Sequence, residues 1–292
     1  MSVLFKLTKN ITMCLKPITI VPKYKKIYPT LNNRIINVVP CGKCTECRKN
    51  YVNSLKLRAF NEMQVSKYVL FDTLTYNENT VPWNYGIRTL QIEDYQKFIK
   101  RLRKVLKGKK IKYLIGGEYG TKETGTHRPH YHILLFVRDE IEPIQLSKTI
   151  KKCWKNGITD GVDDKGAYYF KNNRVFTGAL ANKNIVGYIT KYMNKVNAVD
   201  YMIMKKISRE INTKYKRLEY NERKEIIKQE FKKYRQFIKW SHGFGEEYFK
   251  TNKDKYIKDY INGLTTITTD YKNKYQLPLY SILLFLIVSY VQ

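Results

Sequence analysis

With 55 lysines and arginines against 25 aspartates and glutamates, the 292-residue chain carries a formal charge of +30, a surface field that draws polyanions and makes nucleic acid the leading partner. The length suits one large domain with additions or two small domains, and a chain of this size needs no disulfide staples to hold a core. Lys, Asn, Ile and Tyr are all abundant and all have A/T-rich codons, so the 25 tyrosines cannot each carry meaning. A functional tyrosine has to be chosen by its context.

In the first nine residues lysines interrupt the apolar side chains, and the continuous apolar stretch of a secretory signal is missing. A cytoplasmic chain is therefore expected. Residues 1–60 carry twelve Lys/Arg and one acidic residue and hold four of the five cysteines, Cys14, Cys41, Cys44 and Cys47, which reads as a small basic module. From Cys44 to about Tyr68 the spacing of Leu55, Phe60 and Met63 predicts a helix, and Tyr68–Tyr76, rich in β-formers, predicts a strand. Ile92, Tyr95, Phe98, Leu102 and Val105 recur at helical spacing, with Glu93 and Asp94 in the first turn and Gly108 where the helix would stop.

Two further strands, near Ile111–Glu118 and His130–Val137, flank a polar loop with Gly120 and Gly125 and predict an antiparallel pair. A helix from about Ile144 to Trp154 follows, then an irregular stretch and a helix at roughly Asn184–Val196. Mixed ordering with adjacent strands predicts an α+β domain, an antiparallel sheet with helices packed on one face. Residues 201–260, 17 basic against 9 acidic, are expected to be charged helix. The resulting division is a Cys-containing module at 1–60, a central domain at 61–200 and a basic helical region at 201–292 with an apolar tail. That tail, even taken from Leu277 to Val291, falls short of the roughly 18 residues of a spanning helix, so no membrane partner is expected.

Three of the four histidines fall in six residues, His127, His130 and His132. On a strand, side chains alternate, so His130 and His132 share a face, where two imidazoles either chelate one ion or merely hydrogen-bond on a polar surface. Glu118, ending the preceding strand after Gly116-Gly117, would be brought alongside by a hairpin. Two imidazoles and one carboxylate with open positions suit a catalytic divalent ion. His127 lies outside the strand and at an odd offset, and reads as loop. Cys41-x2-Cys44-x2-Cys47 with Cys14 offers four thiolates, enough for a structural Zn²⁺; an iron–sulfur cluster and free thiols are the other readings. Disulfides would not persist in a reducing cytoplasm, and Cys153 beside Trp154 reads as core. Tyr188 and Tyr192, four apart on the helix expected there with Lys191 between them, share a face. On helix evidence alone they form an aromatic stripe packed beside Ile185, Ile189 and Val196.

Taken together, Phe71–Tyr76, Gly117-Glu118-Tyr119-Gly120, Pro129-His130-Tyr131-His132 and Tyr188-Ile189-Thr190-Lys191-Tyr192 resemble, in order and spacing, the motifs of HUH-class rolling-circle replication initiators. With Cys14, Pro40–Cys47 and Ser241-His242-Gly243-Phe244-Gly245 the resemblance narrows to the initiators of gokushovirus-type Microviridae phages, over residues 14 to about 250. It implies a ferredoxin-like, RRM-like core and a DNA strand transferase. Its Mg²⁺ or Mn²⁺ would be held by Glu118, His130 and His132. Tyr188 or Tyr192 would attack the scissile phosphate, aided by Lys191, to leave a 5′-phosphotyrosyl strand and a free 3′-OH. The implied partners are single-stranded DNA at the replication origin and the host's replication helicase and polymerase, in the host bacterial cytoplasm. Beyond Leu277-Pro278 the chain departs from the family, which carries a basic, aromatic segment there. A metal-stabilised nucleic-acid-binding protein without catalysis is the alternative. A histidine-triad nucleotide hydrolase fits poorly, because Leu134 occupies the next position on the histidine face.

Overall fold

The structure is a computed structural model that describes residues 14–20, 37–120, 127–159, 175–177, 198–261, 266–268 and 274–276. Tyr188, Lys191, Tyr192 and the helix expected around them lie outside the described residues, as does the apolar run at 282–288.

By contact the chain divides into two compact units, Met1–Leu57 with Tyr256–Gln292, and Arg58–Lys255. In the first, β1 (Ile18–Ile20) and β2 (Asn37–Val39) form an antiparallel pair, with Ile18 opposite Val39. The helix α1 (Thr45–Gln64) begins directly after the cysteine run with Glu46 in its first turn, and its last turn belongs to the second unit.

The second unit is built on an antiparallel sheet. Its strands are β3 (Tyr68–Tyr76), β6 (Ile111–Tyr119), β7 (Pro129–Val137), β8 (Gly157–Thr159), β9 (Val175–Thr177) and β10 (Phe237–Trp240). The hairpin of β4 (Trp83–Asn84) and β5 (Ile87–Arg88) stands between β3 and α2 (Ile92–Val105). Helix α3 (Pro143–Cys153) follows β7, and α4 (Ala198–Lys214) and α5 (Tyr220–Tyr234) precede β10. The order across the sheet is β10-β6-β7-β3-β8, with β9 also pairing with β3. The fold is therefore α+β, as the alternation of elements predicts. Short helices α6 (Glu246–Thr251) and α7 (Lys253–Ile261), then the antiparallel pair β11 (Thr266–Thr268) and β12 (Lys274–Gln276), complete the described elements.

The central strand β7 owes its position to its composition. Tyr131, Ile133, Leu135 and Val137 face a core they share with Leu70, Leu74 and Tyr76 of β3 and Ile111 and Ile115 of β6. Tyr95, Phe98, Ile99 and Leu102 of α2, Leu146 and Ile150 of α3, and Ile203, Ile207 and Ile211 of α4 close that core from one side. Each such side chain fully withdrawn from water contributes about 1.5–3 kcal/mol. Helix α2 has its acidic pair at the N-terminus and Arg103 and Lys104 in its last turn, both signs matched to the helix dipole. Helix α3 starts on Pro143 with the Glu142 carboxylate accepting from the Gln145 N–H at 2.7 Å.

The region expected as continuous charged helix over 201–260 is instead interrupted by β10. Phe237, Ile238 and Trp240 are good strand formers, and the edge of β6 offers them unpaired backbone groups: Phe237 lies opposite Gly117 and Trp240 opposite Leu114. Gly117 is glycine for a steric reason, since a Cβ there would come within 2.8 Å of the Phe237 ring. After β10 the chain turns through Gly243 and Gly245, both at positive φ, and a Cβ on Gly245 would lie 2.4 Å from the Arg58 carbonyl oxygen.

Candidate metal centre

The opposite face of the same strands carries the polar cluster. Register places Glu118 of β6 directly across from His130 of β7, and Thr73 of β3 directly across from His132. Because β7 lies between β6 and β3, one strand supplies both imidazoles, one neighbour the carboxylate and the other a hydroxyl. His130 Nε2 and His132 Nε2 lie 2.8 and 2.7 Å from the same oxygen, Glu118 Oε1. The two rings stand edge to face with centroids 4.8 Å apart, and Phe71 stacks along His132 at 5.6 Å.

The donor set fits a small divalent cation. Adjacent ligands about 2.1 Å from an octahedral ion are separated by about 3 Å, close to the two N···O distances here. The other ring nitrogens support that use: His130 Nδ1 is 3.1 Å from the Arg128 carbonyl oxygen, and His132 Nδ1 is 3.2 Å from Thr73 Oγ1. A carbonyl can only accept, so His130 carries its proton on Nδ1, leaving Nε2 free to ligate in the neutral ring. Burial works against a charged Glu118, yet its contacts with His130 and His132 outweigh that cost and hold the carboxyl below its ordinary pKa. Glu118 and His132 are buried, whereas His130 is partly exposed, so the cluster is open on the His130 side.

His127 lies outside the strand and takes no part. It sits at φ 47°, with Nδ1 2.9 Å from the Gly120 carbonyl oxygen. The tyrosines nearest in sequence to the cluster are unsuited to nucleophilic work. Tyr131 projects into the core, 2.6 Å from the Tyr76 hydroxyl, and donates to the Gln91 carbonyl; Tyr119 donates to the Tyr234 carbonyl. Burial pushes the pKa of Tyr76, Tyr119 and Tyr131 well above the ordinary phenol value. Thr73 and the Arg128 carbonyl are the positioning groups that sequence reasoning did not single out. The signal for Thr73 was its place on β3, an even offset from Phe71 and Thr75 on the face that meets the histidines.

A second cluster lies in the other unit, where the sulfurs of Cys14, Cys41, Cys44 and Cys47 fall within 4.8 Å of one another. Cys41 Sγ and Cys47 Sγ are 3.9 Å apart, as are Cys44 Sγ and Cys14 Sγ. Four thiolates about 2.3 Å from a tetrahedral ion are separated by about 3.8 Å, whereas a disulfide requires about 2 Å. Backbone N–H groups of Lys43 and Cys44 point at Cys41 Sγ and lower its pKa; that of Cys47 does the same for Cys44, pulling it down to about 6. Burial pushes Cys47 the other way, up to about 12, so this thiol gives up its proton to a cation rather than to water. Cys153 is buried in the main core, with its thiol also raised by burial.

Fold and site define an α+β protein whose central strands carry a two-histidine, one-carboxylate cluster. The comparisons place that domain. Residues 69–197 match the family described as replication-associated protein ORF2. The replication-associated protein VP4 of Bdellovibrio phage phiMH2K is 32% identical over 136 residues, 40% of this chain and 41% of that protein. The replication-associated protein ORF2 of Spiroplasma virus 4 is 36% identical over 148 residues, 45% of each. The replication-associated protein ORF4 of Chlamydia phage 1 is 30% identical over 140 residues, 42% of this chain and 33% of that protein. The resemblance to phage replication proteins read from the motifs is thereby borne out, and the matches span less than half the length of these relatives. No solved structure matches the chain. Among the described residues, no helix is long and apolar enough to cross a membrane.

Proposed function

We propose that this chain is a phage replication initiator that nicks and rejoins single-stranded DNA at the origin, working in the host bacterial cytoplasm beside the host helicase and polymerase. The observation that carries the reading is the convergence of Glu118, His130 and His132 within a single ligand-sized space, in the segment that matches the replication-associated family. These three residues would hold Mg²⁺ or Mn²⁺, which when bound polarises the non-bridging oxygens of the scissile phosphate. The protein's task is to keep the three ligands converged: the Arg128 carbonyl fixes the His130 ring, Thr73 orients His132, and the core under Tyr131 keeps β7 from shifting.

The nucleophile is a phenol of the Tyr188/Tyr192 pair. Its oxygen forms the new bond to phosphorus, the P–O3′ bond breaks, and the departing oxygen takes a proton to become the primer 3′-OH. A phenol of ordinary pKa about 10 is weakly ionised at neutral pH, and Lys191, with the general positive field, favours the phenolate. The phosphotyrosyl ester conserves the energy of the broken bond for rejoining, and the second tyrosine of the pair can attack the regenerated origin. The four-thiolate cluster takes a structural Zn²⁺, which fixes Cys14 to the start of α1.

Covalent capture tests the reading. Protein incubated with origin-containing single-stranded DNA and Mn²⁺ should give an SDS-resistant adduct that Glu118→Gln abolishes. Tight binding to the same DNA without any adduct would instead favour the non-catalytic binder.

A further inference from the structure

Trp83 is an exposed tryptophan on a built support. Its side chain is 60% exposed, and the Arg88 guanidinium lies 5.3 Å from its ring centroid. The pair is a consequence of the hairpin. Trp83 lies opposite Arg88 and Asn84 opposite Ile87, leaving Tyr85 and Gly86 as a two-residue turn. Both turn residues have positive φ, 56° and 66°, the backbone of a type I′ turn. In such a hairpin the Trp83–Arg88 pair falls at the position where cross-strand side chains come closest.

Tyr85 is an unusual residue for the left-handed region, and its side chain shows what holds it there. Its hydroxyl donates to Glu230 Oε2 at 3.0 Å, and its ring meets Tyr234 edge to face at 5.9 Å. Asn84 Nδ2 donates to Thr89 Oγ1 at 2.7 Å, and the Thr89 N–H to the Pro82 carbonyl at 2.9 Å. The hairpin is thus fixed at its turn and at its base while Trp83 stays in water. An arginine over a surface tryptophan is worth about 0.5–1 kcal/mol and does not by itself require so much support.

The pair also connects to the metal centre. Arg88 bonds Glu78 at 2.9 Å, and Glu78 bonds Arg128 through its other oxygen. Arg128 in turn donates to the Tyr76 carbonyl, and its own carbonyl holds His130. Trp83 therefore stands at the same end of the sheet as Glu118 and His130. The cations here exceed the anions: Arg88 and Arg128 share Glu78, and Lys206 Nζ lies 4.0 Å from where a Cβ on Gly86 would be.

We infer that Trp83, backed by Arg88, is a stacking platform for one base of the single strand that runs to the Glu118–His130–His132 centre. This rests on the proposed action on single-stranded DNA and adds to it the residue that grips the strand beside the cut. An indole face accepts any base, and the neighbouring cations meet the backbone phosphates, so the platform contributes affinity without sequence preference.

The test is fluorescence anisotropy of the full chain with a labelled oligothymidylate of about 12 nucleotides, in EDTA so that binding is separated from cleavage. One stacked base corresponds to about tenfold in Kd, so Trp83→Ala should weaken binding about tenfold while Trp83→Phe stays within about threefold of wild type. Thermal midpoints should match wild type, because the side chain is mostly in water. Trp154 is 2% exposed and Trp240 half-buried, so Trp83→Phe should also remove most of the tryptophan quench that DNA produces. Wild-type affinity in Trp83→Ala, or an unchanged quench in Trp83→Phe, overturns the platform and leaves the strand-transfer reading standing. No binding by the wild-type protein overturns both.

Discussion

Glu62 offers the sharpest test of how the site's framework is held. The residue lies in the last turn of α1, its side chain has no exposure, and its Oε1 sits 2.6 Å from Arg138 at the end of β7. Its Oε2 accepts the Gly245 N–H at 2.8 Å, which fastens the turn after β10 to the same carboxylate. Glu62→Ala would leave the Arg138 cation, only 12% exposed, with Glu247 alone, and would strand a buried N–H at Gly245. Breaking one side of a buried ion pair costs about 3–5 kcal/mol; because the exposed Glu247 still faces Arg138, the lower end applies, about 3 kcal/mol. For a unit of this size that is a fall of about 6–12 °C in Tm. Urea unfolding followed by far-UV circular dichroism would read it. Glu62→Leu combined with Arg138→Met should recover much of the loss, since apolar replacement of both partners removes the uncompensated charge. A Glu62→Ala variant within about 1 kcal/mol of wild type, or a double variant no better than the single, would refute the claim that this carboxylate secures the sheet.

Thr73→Val should weaken Mn²⁺ binding about tenfold by titration calorimetry with the fold intact, because it removes only the partner of His132 Nδ1. Glu118→Gln should weaken it more, about a hundredfold or beyond, having lost the anionic ligand itself. At the other cluster, Cys41→Ser should lower bound zinc from about one equivalent per chain to well below it by elemental analysis. A strong chelator should likewise lower the Tm of the wild-type chain and leave that of Cys41→Ser little changed.

Much of this was legible because periodicity and side-chain chemistry agreed. Helix α2 lies where its apolar spacing and acidic first turn place it, and β3, β6, β7 and α3 fall within a residue or two of the expected bounds. The Glu118–His130–His132 convergence followed from the alternation of a strand and the closure of a hairpin, both local rules. What local rules could not supply were partners distant in sequence. Strand β10 is four residues inside a charged stretch, and it is a strand because β6, more than a hundred residues earlier, had an open edge. The β4–β5 hairpin escaped notice because its turn uses Tyr85 where Asn or Gly would have announced it, and Tyr85 is held by Glu230 and Tyr234. Thr73 stood in plain view on β3, but its role depends on the β3–β7 register, which no single segment encodes.

The central claim is that a metal held at Glu118, His130 and His132 serves a tyrosine that captures DNA. Its most direct measurement is the yield of SDS-resistant protein–DNA adduct on origin-containing single-stranded DNA with Mn²⁺, compared across wild type, Glu118→Gln and Tyr188→Phe/Tyr192→Phe. The account predicts adduct in the wild type and none in either variant, although all three still bind the DNA. Persistent adduct in the double tyrosine variant, or undiminished adduct in Glu118→Gln, would contradict it.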